Sequence, residues 1–279
     1  MSSAKDIVVQ PIDSRTASAC IRRLHYSGKI VQNSFLHFGV FIDGRLEGAM
    51  QFGPSLDKKR VIGLVEGTGW NEFCELNRMA FGPALPRNSE SRAISIAMRM
   101  IKKHAPHFKW VLSFSDGTQC GDGTIYRASG FVLTGIKKNS TIVVAPNGRR
   151  FSDIGIRTSR GEEFKAARAL AEEAAAAKGV TLNWSGGSSM RNYFSVGFSA
   201  LPGFQLRYVY FLDPACMDRL TVPVLPFSAI DDAGARMYLG KRVSSRAEST
   251  APPVQGGDGG ASPTLTLHSQ EKAPDAFPT

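Results

Sequence analysis

Phe73-Cys74-Glu75-Leu76-Asn77-Arg78-Met79-Ala80-Phe81, then Gly82 to Pro86, then Arg87-Asn88-Ser89-Glu90-Ser91-Arg92 ahead of Ile94, Met98 and Ile101, reads as strand, turn and helix. The first nine residues alternate. An ideal strand puts Glu75, Asn77 and Met79 on one face and Leu76, Arg78 and Ala80 on the other. Gly82 to Pro86 carries turn chemistry, Asn88 or Ser89 is placed to cap, and the apolar residues that follow repeat at helical spacing. A strand that feeds a helix N-terminus makes an anion site, because the first backbone N–H groups and the helix dipole point outward. Arg87 and Arg92 add charge suited to phosphate. The same residues also fit a plain capped helix, with Glu90 favouring the dipole and the arginines paired to Glu75 or Glu90.

Upstream, residues 14–24 read as a helix capped by Ser14, with Ile21 and Leu24 forming its apolar stripe. It exits into the polar run His25-Tyr26-Ser27-Gly28-Lys29. Phe38 to Ile42 and Leu46 to Phe52 flank Asp43-Gly44, the signature of a tight β-hairpin. Downstream, Trp110 to Ser115 reads as a buried strand ending at Asp116. A Gly-rich loop, a short helical piece over Thr124 to Ser129 and a strand from Phe131 to Ile136 follow. This alternation predicts an α/β (α+β) fold, a central mixed sheet flanked by helices.

Beyond residue 140 the pattern changes. Pro146-Asn147-Gly148-Arg149 is a turn, residues 161–178 form an Ala/Glu-rich helix stopped by Gly179, and Leu206 to Leu212 is the last convincing strand. From Ser244 onward Pro, Gly, Ser and Thr dominate, which predicts a disordered tail over 244–279. The main domain is therefore expected over 1–225, with 145–205 as an inserted lobe.

Composition narrows the function classes. The chain has 279 residues and a formal net charge of +10, which favours polyanionic partners such as nucleic acid, although a solvated basic surface would give the same balance. Its apolar runs are shorter than the ~18 residues a membrane helix needs, so no membrane partner is expected. Cys20, Cys74, Cys120 and Cys216 are widely separated, which argues against a zinc ribbon or a disulfide framework and fits a reducing cytoplasm. Any metal would have to be held by His, Asp or Tyr.

Two further polar segments interrupt apolar elements. His25-Tyr26 at a helix exit is commonly a capping or surface pair, yet an imidazole there can also ligate a metal or move a proton near neutral pH. Ser113-Phe114-Ser115-Asp116 ends a strand at the sheet edge where α/β folds place ligands. Gly121-Asp122-Gly123-Thr124-Ile125-Tyr126 follows it. Tyr126 either turns back to that edge or sits in the core, and spacing alone favours the core.

Taken together, His25-Tyr26, Glu75-Leu76-Asn77-Arg78, Leu85-Pro86-Arg87-Asn88, Glu90-Ser91-Arg92, Ser115-Asp116, Gly123 to Phe131 and Arg207 to Leu212 resemble the Mom proteins of phages, over roughly residues 10–225. That resemblance implies a GNAT-like acyltransferase fold. It implies a transferase that adds a carbamoylmethyl (methylcarbamoyl) group to N6 of adenine in phage DNA and so protects that DNA from restriction. It implies that His25, Tyr26, Asp116 and Tyr126 converge as a catalytic and metal cluster, with iron the suggested metal. Ser113 and Ser115 would line the same pocket. Arg87, Asn88, Ser89, Ser91 and Arg92 would face the phosphates of an acyl-CoA such as acetyl-CoA. Two positions depart from the pattern: Glu90 and Arg92 stand where GNAT enzymes carry glycines against pyrophosphate, and Asp122 stands where a His is expected. Self-association as a homodimer is left open. Other readings are an acyltransferase acting on a hypermodified pyrimidine, a conventional acyl-CoA N-acyltransferase acting on a small amine, and a non-catalytic DNA-binding accessory.

Overall fold

A computed structural model describes residues 2–118, 121–158, 161–185, 190–238 and 241–242. The tail expected from Ser244 lies outside the described residues. The expected alternation of strands and helices is present. It runs β1 (Val8–Pro11), α1 (Ser14–Leu24), β2 (Leu36–Ile42), β3 (Arg45–Gly53), α2 (Lys58–Val61), β4 (Phe73–Phe81), α3 (Ser89–His104), β5 (Trp110–Asp116), α4 (Thr124–Ala128) and β6 (Val132–Asn139). An inserted segment follows with β7 (Ile142–Val144), β8 (Arg150–Ser152), α5 (Asp153–Arg157), α6 (Glu162–Lys178), α7 (Met190–Ser195) and β9 (Ser199–Ala200). The chain then returns as β10 (Gly203–Phe211), α8 (Ser228–Asp232), β11 (Met237–Tyr238) and β12 (Lys241–Arg242).

The main sheet has seven strands in the order β1-β2-β3-β4-β5-β10-β6. Its pairs are antiparallel except β4 with β5, which are parallel because α3 crosses between them. One face carries Phe38, Met50, Phe52, Cys74, Leu76, Val111, Leu206 and Tyr208 against Ile94, Met98 and Ile101 of α3, forming the main core. On the other face, α1 lays Cys20 and Ile21 on Ala49 and Ala80. Beside it, Phe73, Trp110, Leu112 and Val209 meet Val61, Leu64 and Cys216. The fold is thus a mixed sheet covered by helices on both sides.

Strict alternation along β4 fails at one point. The β3–β4 register shifts between Gln51 and Phe52, so Leu76 opposes Phe52 while Arg78 opposes Gln51. A bulge of this kind re-aims the side chains beyond it. As a result Leu76 and Met79 both pack on the main core, while Ala80 joins α1 on the opposite face. The cap also differs from expectation: Asn88, at φ 71°, precedes α3 without a side-chain capping bond, and α1 is capped by Asp13 rather than Ser14.

The inserted segment has a core of its own. Val143, Ala145, Phe151, Ile156, Ala167, Ala171, Ala175, Tyr193, Val196 and Phe198 pack together under the three-stranded sheet β8-β7-β9. The small moment of the Ala-rich α6 suffices here because a run of alanines every fourth residue gives a close-packing stripe.

Candidate active site

The parallel pair that defines the sheet is short. β4 and β5 are joined in register only at Phe73 with Trp110, Cys74 with Val111 and Glu75 with Leu112, although both strands continue further. At the joined end Phe73 and Trp110 stack with centroids 4.3 Å apart. At the other end each strand has lost its ladder partner on that side, and the residues there turn polar: Asn77 and Arg78 on β4, Ser113, Ser115 and Asp116 on β5. The pleat sends Ser113 and Ser115 to the α3 face, where they stand beside Tyr208 and Leu206 of β10. Asp116 goes to the α1 face with Leu112 and Phe114.

On the α1 face, His25 caps the end of α1. Its ring lies 4.2 Å from that of Tyr26, which is exposed. Nδ1 accepts the Ser27 backbone N–H at 3.2 Å and meets Ser27 Oγ at 2.8 Å. An accepting Nδ1 leaves the proton of the neutral ring on Nε2. Burial, assisted by the positive charge of Arg78, pushes the imidazole down to about 4, so His25 is neutral at pH 7. Arg78 donates through Nε to Lys29 O at 3.3 Å and through Nη1 to Asn77 O at 2.8 Å. Burial raises the Glu75 carboxyl, with the Ser55 and Asn77 hydrogen bonds and the Arg78 charge acting the other way. Asn77 fastens the neighbouring loops: Ser34 Oγ donates to its Oδ1 at 3.1 Å, and its Nδ2 donates to Pro54 O at 3.2 Å.

On the α3 face, Ser113 Oγ is fully buried and has no partner among the described residues. Ser115 Oγ donates to Gly121 O at 3.0 Å. Tyr126 is buried in the main core, its ring 5.2 Å from Tyr208 and 5.4 Å from Phe131. Asp116 Oδ1 accepts the Thr118 N–H at 3.0 Å. Asp122, at the position where a His was expected, is built into the frame. Its Oδ1 accepts the Thr124 N–H at 3.1 Å at the start of α4, its Oδ2 pairs with Arg236 at 2.7 Å, and its carbonyl receives the Tyr208 hydroxyl at 2.5 Å. Gly123 must be glycine: its φ is 74°, and a Cβ would lie 2.6 Å from the Tyr208 ring.

At the α3 N-terminus, Ser89 Oγ is fully buried and unpartnered among the described residues, and Ser91 Oγ donates to Asn88 O at 3.2 Å. Arg87 is exposed. Arg92 reaches Lys5 O at 3.4 Å, so part of its charge serves the N-terminal turn.

The structure therefore brings His25 and Tyr26 together beside Arg78. It places Ser113, Ser115 and Tyr126 on the opposite face of the sheet, with Asp116 at the strand end. Among the described residues no group of three or more His, Cys, Asp or Glu side chains could hold a metal ion. A metal-bound His usually donates its second ring N–H, whereas His25 accepts at Nδ1. The residues as arranged do not make up the implied iron site, and no step below passes through a metal. Neither Arg78 nor Glu75 was singled out from sequence as a site residue. The signal for them is the charged pair within an otherwise apolar strand.

The sequence matches the model of the Mom protein family over residues 6–229. The chain belongs to the Mom family. One Mom relative, the "Methylcarbamoylase mom" of Escherichia phage Mu, is 41% identical over 133 residues. That match covers 47% of this chain and 55% of the relative, so it spans just over half of the phage Mu protein. This Mom family chain also overlaps in part with solved acetyltransferases. The ribosomal-protein-S18-alanine N-acetyltransferase of Escherichia coli gives a TM-score of 0.36 at 13% identity, covering 52% of this chain and 88% of that one. A Bacillus subtilis acetyltransferase in complex with CoA gives 0.33 at 10% identity, covering 47% and 78%. The strand order and the short parallel pair, rather than these partial overlaps, define the architecture. No helix among the described residues is long and apolar enough to cross a membrane.

Proposed function

We propose that this chain is a DNA base-modifying transferase that adds a carbamoylmethyl group to N6 of adenine in double-stranded phage DNA, protecting it from host restriction, in the host cytoplasm. Family membership carries the reading, and the polar end of the β4–β5 pair supports it. A base buried in a duplex must be flipped out before an enzyme can work on it, and the net charge of +10 favours the phosphate contacts that hold the opened DNA.

His25, neutral at pH 7, presents Nε2–H as a fixed donor beside Arg78 and orients an acceptor atom of the base. Tyr26, tilted against that ring and exposed, offers a face to the flipped base. Ser113 Oγ, on the α3 face across the sheet from His25, is the group that a substrate entering between the parted strands would satisfy, because a buried hydroxyl without a partner costs ~1–3 kcal/mol. Asp116 closes the same strand end and accepts a proton from the N6 amine.

The α3 N-terminus fits the phosphates of an acyl-CoA in one respect: no side chain caps it and the Ser89 hydroxyl there has no partner among the described residues. Glu90, in the first turn, opposes a pyrophosphate. An acyl-CoA bound there would supply an acyl group at its thioester carbonyl; the CH₂ link of a carbamoylmethyl group cannot form by attack on that carbonyl and needs a different donor. The same helix end favours a second reading, a conventional acyl-CoA N-acyltransferase acting on a small amine.

The test is to express the protein in bacteria holding a plasmid, digest the DNA to nucleosides and weigh them by mass spectrometry. A deoxyadenosine heavier by a carbamoylmethyl group is expected. Unchanged DNA together with acetyl transfer to a small amine would establish the second reading instead.

A further inference from the structure

The inserted segment, whose own core needs nothing from the main sheet, nevertheless reaches across to the loop that carries His25 and Tyr26. Lys29 Nζ meets Glu163 Oε2 at 2.5 Å and Ser152 Oγ at 3.0 Å, a pairing across 134 positions of sequence. Glu163 is held from its own side as well: the Ser152 N–H donates to Oε1 and Ser152 Oγ donates to Oε2, both at 2.9 Å. Ser152 Oγ in turn accepts the Gly155 N–H at 3.0 Å and so caps α5. Residue 155 has to be glycine for this, because a Cβ there would collide with the Glu163 carboxylate. Burial alone would raise the Glu163 carboxyl, but Lys29 and Ser152 outweigh it and hold it below the usual range.

The other end of Lys29 leads into the site. Its carbonyl accepts from Arg78 Nε at 3.3 Å, and Arg78 is the charge that acts on His25. A line of contacts thus runs from Glu163 through Lys29 to Arg78, whose charge acts on His25, and the Lys29 N–H reaches the same ring through Ser27 Oγ.

We infer that Lys29 and Glu163 are positioning residues through which the inserted segment holds the His25–Lys29 loop, and with it the His25–Tyr26 side of the site, in its working geometry. The inference rests on the reading that His25 belongs to the site. Half-exposed ion pairs of this kind contribute little to stability, with side-chain exposures here of 50% and 28%. Their loss therefore leaves the fold intact and acts locally.

The decisive variant is Glu163→Gln in the full chain, read in two ways. The first is amide hydrogen exchange along the loop, where the Ser27, Gly28 and Lys29 N–H groups are held by His25 Nδ1, His25 O and Ser27 Oγ. Their exchange should speed up about tenfold or more, with exchange in α3 and the urea midpoint unchanged. The second is the plasmid nucleoside assay, where modified adenine should fall about tenfold or more. Lys29→Arg should keep both readouts near wild type, and the charge-reversed pair Lys29→Glu with Glu163→Lys should recover part of the activity lost by either single change. Loop amides that exchange as in wild type overturn the inference, as does a loosened loop with undiminished modification. If the wild-type protein modifies no adenine, the proposed function fails on that arm, while the exchange still decides whether Glu163 holds the loop.

Discussion

The two ends of β4 and β5 differ in kind, though they belong to the same two strands. At the joined end Phe73 and Trp110 stack at 4.3 Å, Trp110 Nε1 donates to Thr68 Oγ1 at 3.1 Å, and Val61, Leu64 and Cys216 close over them. Every polar atom named there is answered. At the open end Ser113 Oγ is buried without a partner among the described residues, and His25 is driven neutral. The joined end maximises stability. The open end gives some of it up, the usual mark of groups kept ready for a ligand.

If that contrast holds, substitutions at the two ends should separate cleanly. The largest expected effect is at the joined end, where Trp110→Ala should cost about 3–5 kcal/mol in urea unfolding, since the side chain is fully buried. A cost below about 1 kcal/mol would mean the joined end is not the anchor.

Next comes the acid limb of stability. The folded His25 titrates near 4 against 6.5 in an unfolded chain, so the unfolded state binds the extra proton between those values. Its contribution is complete above about pH 6.5 and is lost as the pH falls toward 4, by at most about 3 kcal/mol before discounting for solvent screening. Glu75, with its raised carboxyl, works in the opposite direction, so the comparison is His25→Gln against wild type. The variant should show a flatter acid limb; superimposable limbs would mean His25 is not buried as described.

A smaller effect is expected at Arg236, which pairs with Asp122 and Asp231 from beyond the family-matched residues 6–229. Arg236→Met should cost about 1 kcal/mol, because it leaves the largely buried Asp122 carboxylate without its cation. A loss of several kcal/mol would show that this pair does more than brace α8, whose Ile230 already lies in the main core. Smallest of all is Ser113→Ala. Removing an unanswered hydroxyl should leave stability unchanged or raise it by up to about 1 kcal/mol. A clear loss would show that Ser113 is structural.

Much of the frame is legible in the sequence because it rests on local chemistry. The helix over 14–24, the Asp43-Gly44 hairpin, the strand-turn-helix of 73–104 and the helix ending at Gly179 follow from periodicity and turn residues, and all stand in the structure. Three things are not local and could not be read that way. β10 enters the sheet between β5 and β6, after an insertion of more than 60 residues. The bulge at Asn77 turns Leu76 and Met79 to one side. Asp122 owes its place to Arg236, and Lys29 to Glu163, partners more than a hundred positions away. The site segments could be picked out by type, but not the sheet face on which each one lies.

The most direct measurement is nucleoside mass spectrometry of plasmid DNA from cells expressing the wild-type protein or Ser113→Ala, each at matched soluble level. The account predicts carbamoylmethyl-deoxyadenosine with the wild type and a drop of about tenfold or more with Ser113→Ala, at undiminished stability. Equal modification by the two proteins would contradict it, since the open end of the β4–β5 pair would then be no part of the chemistry.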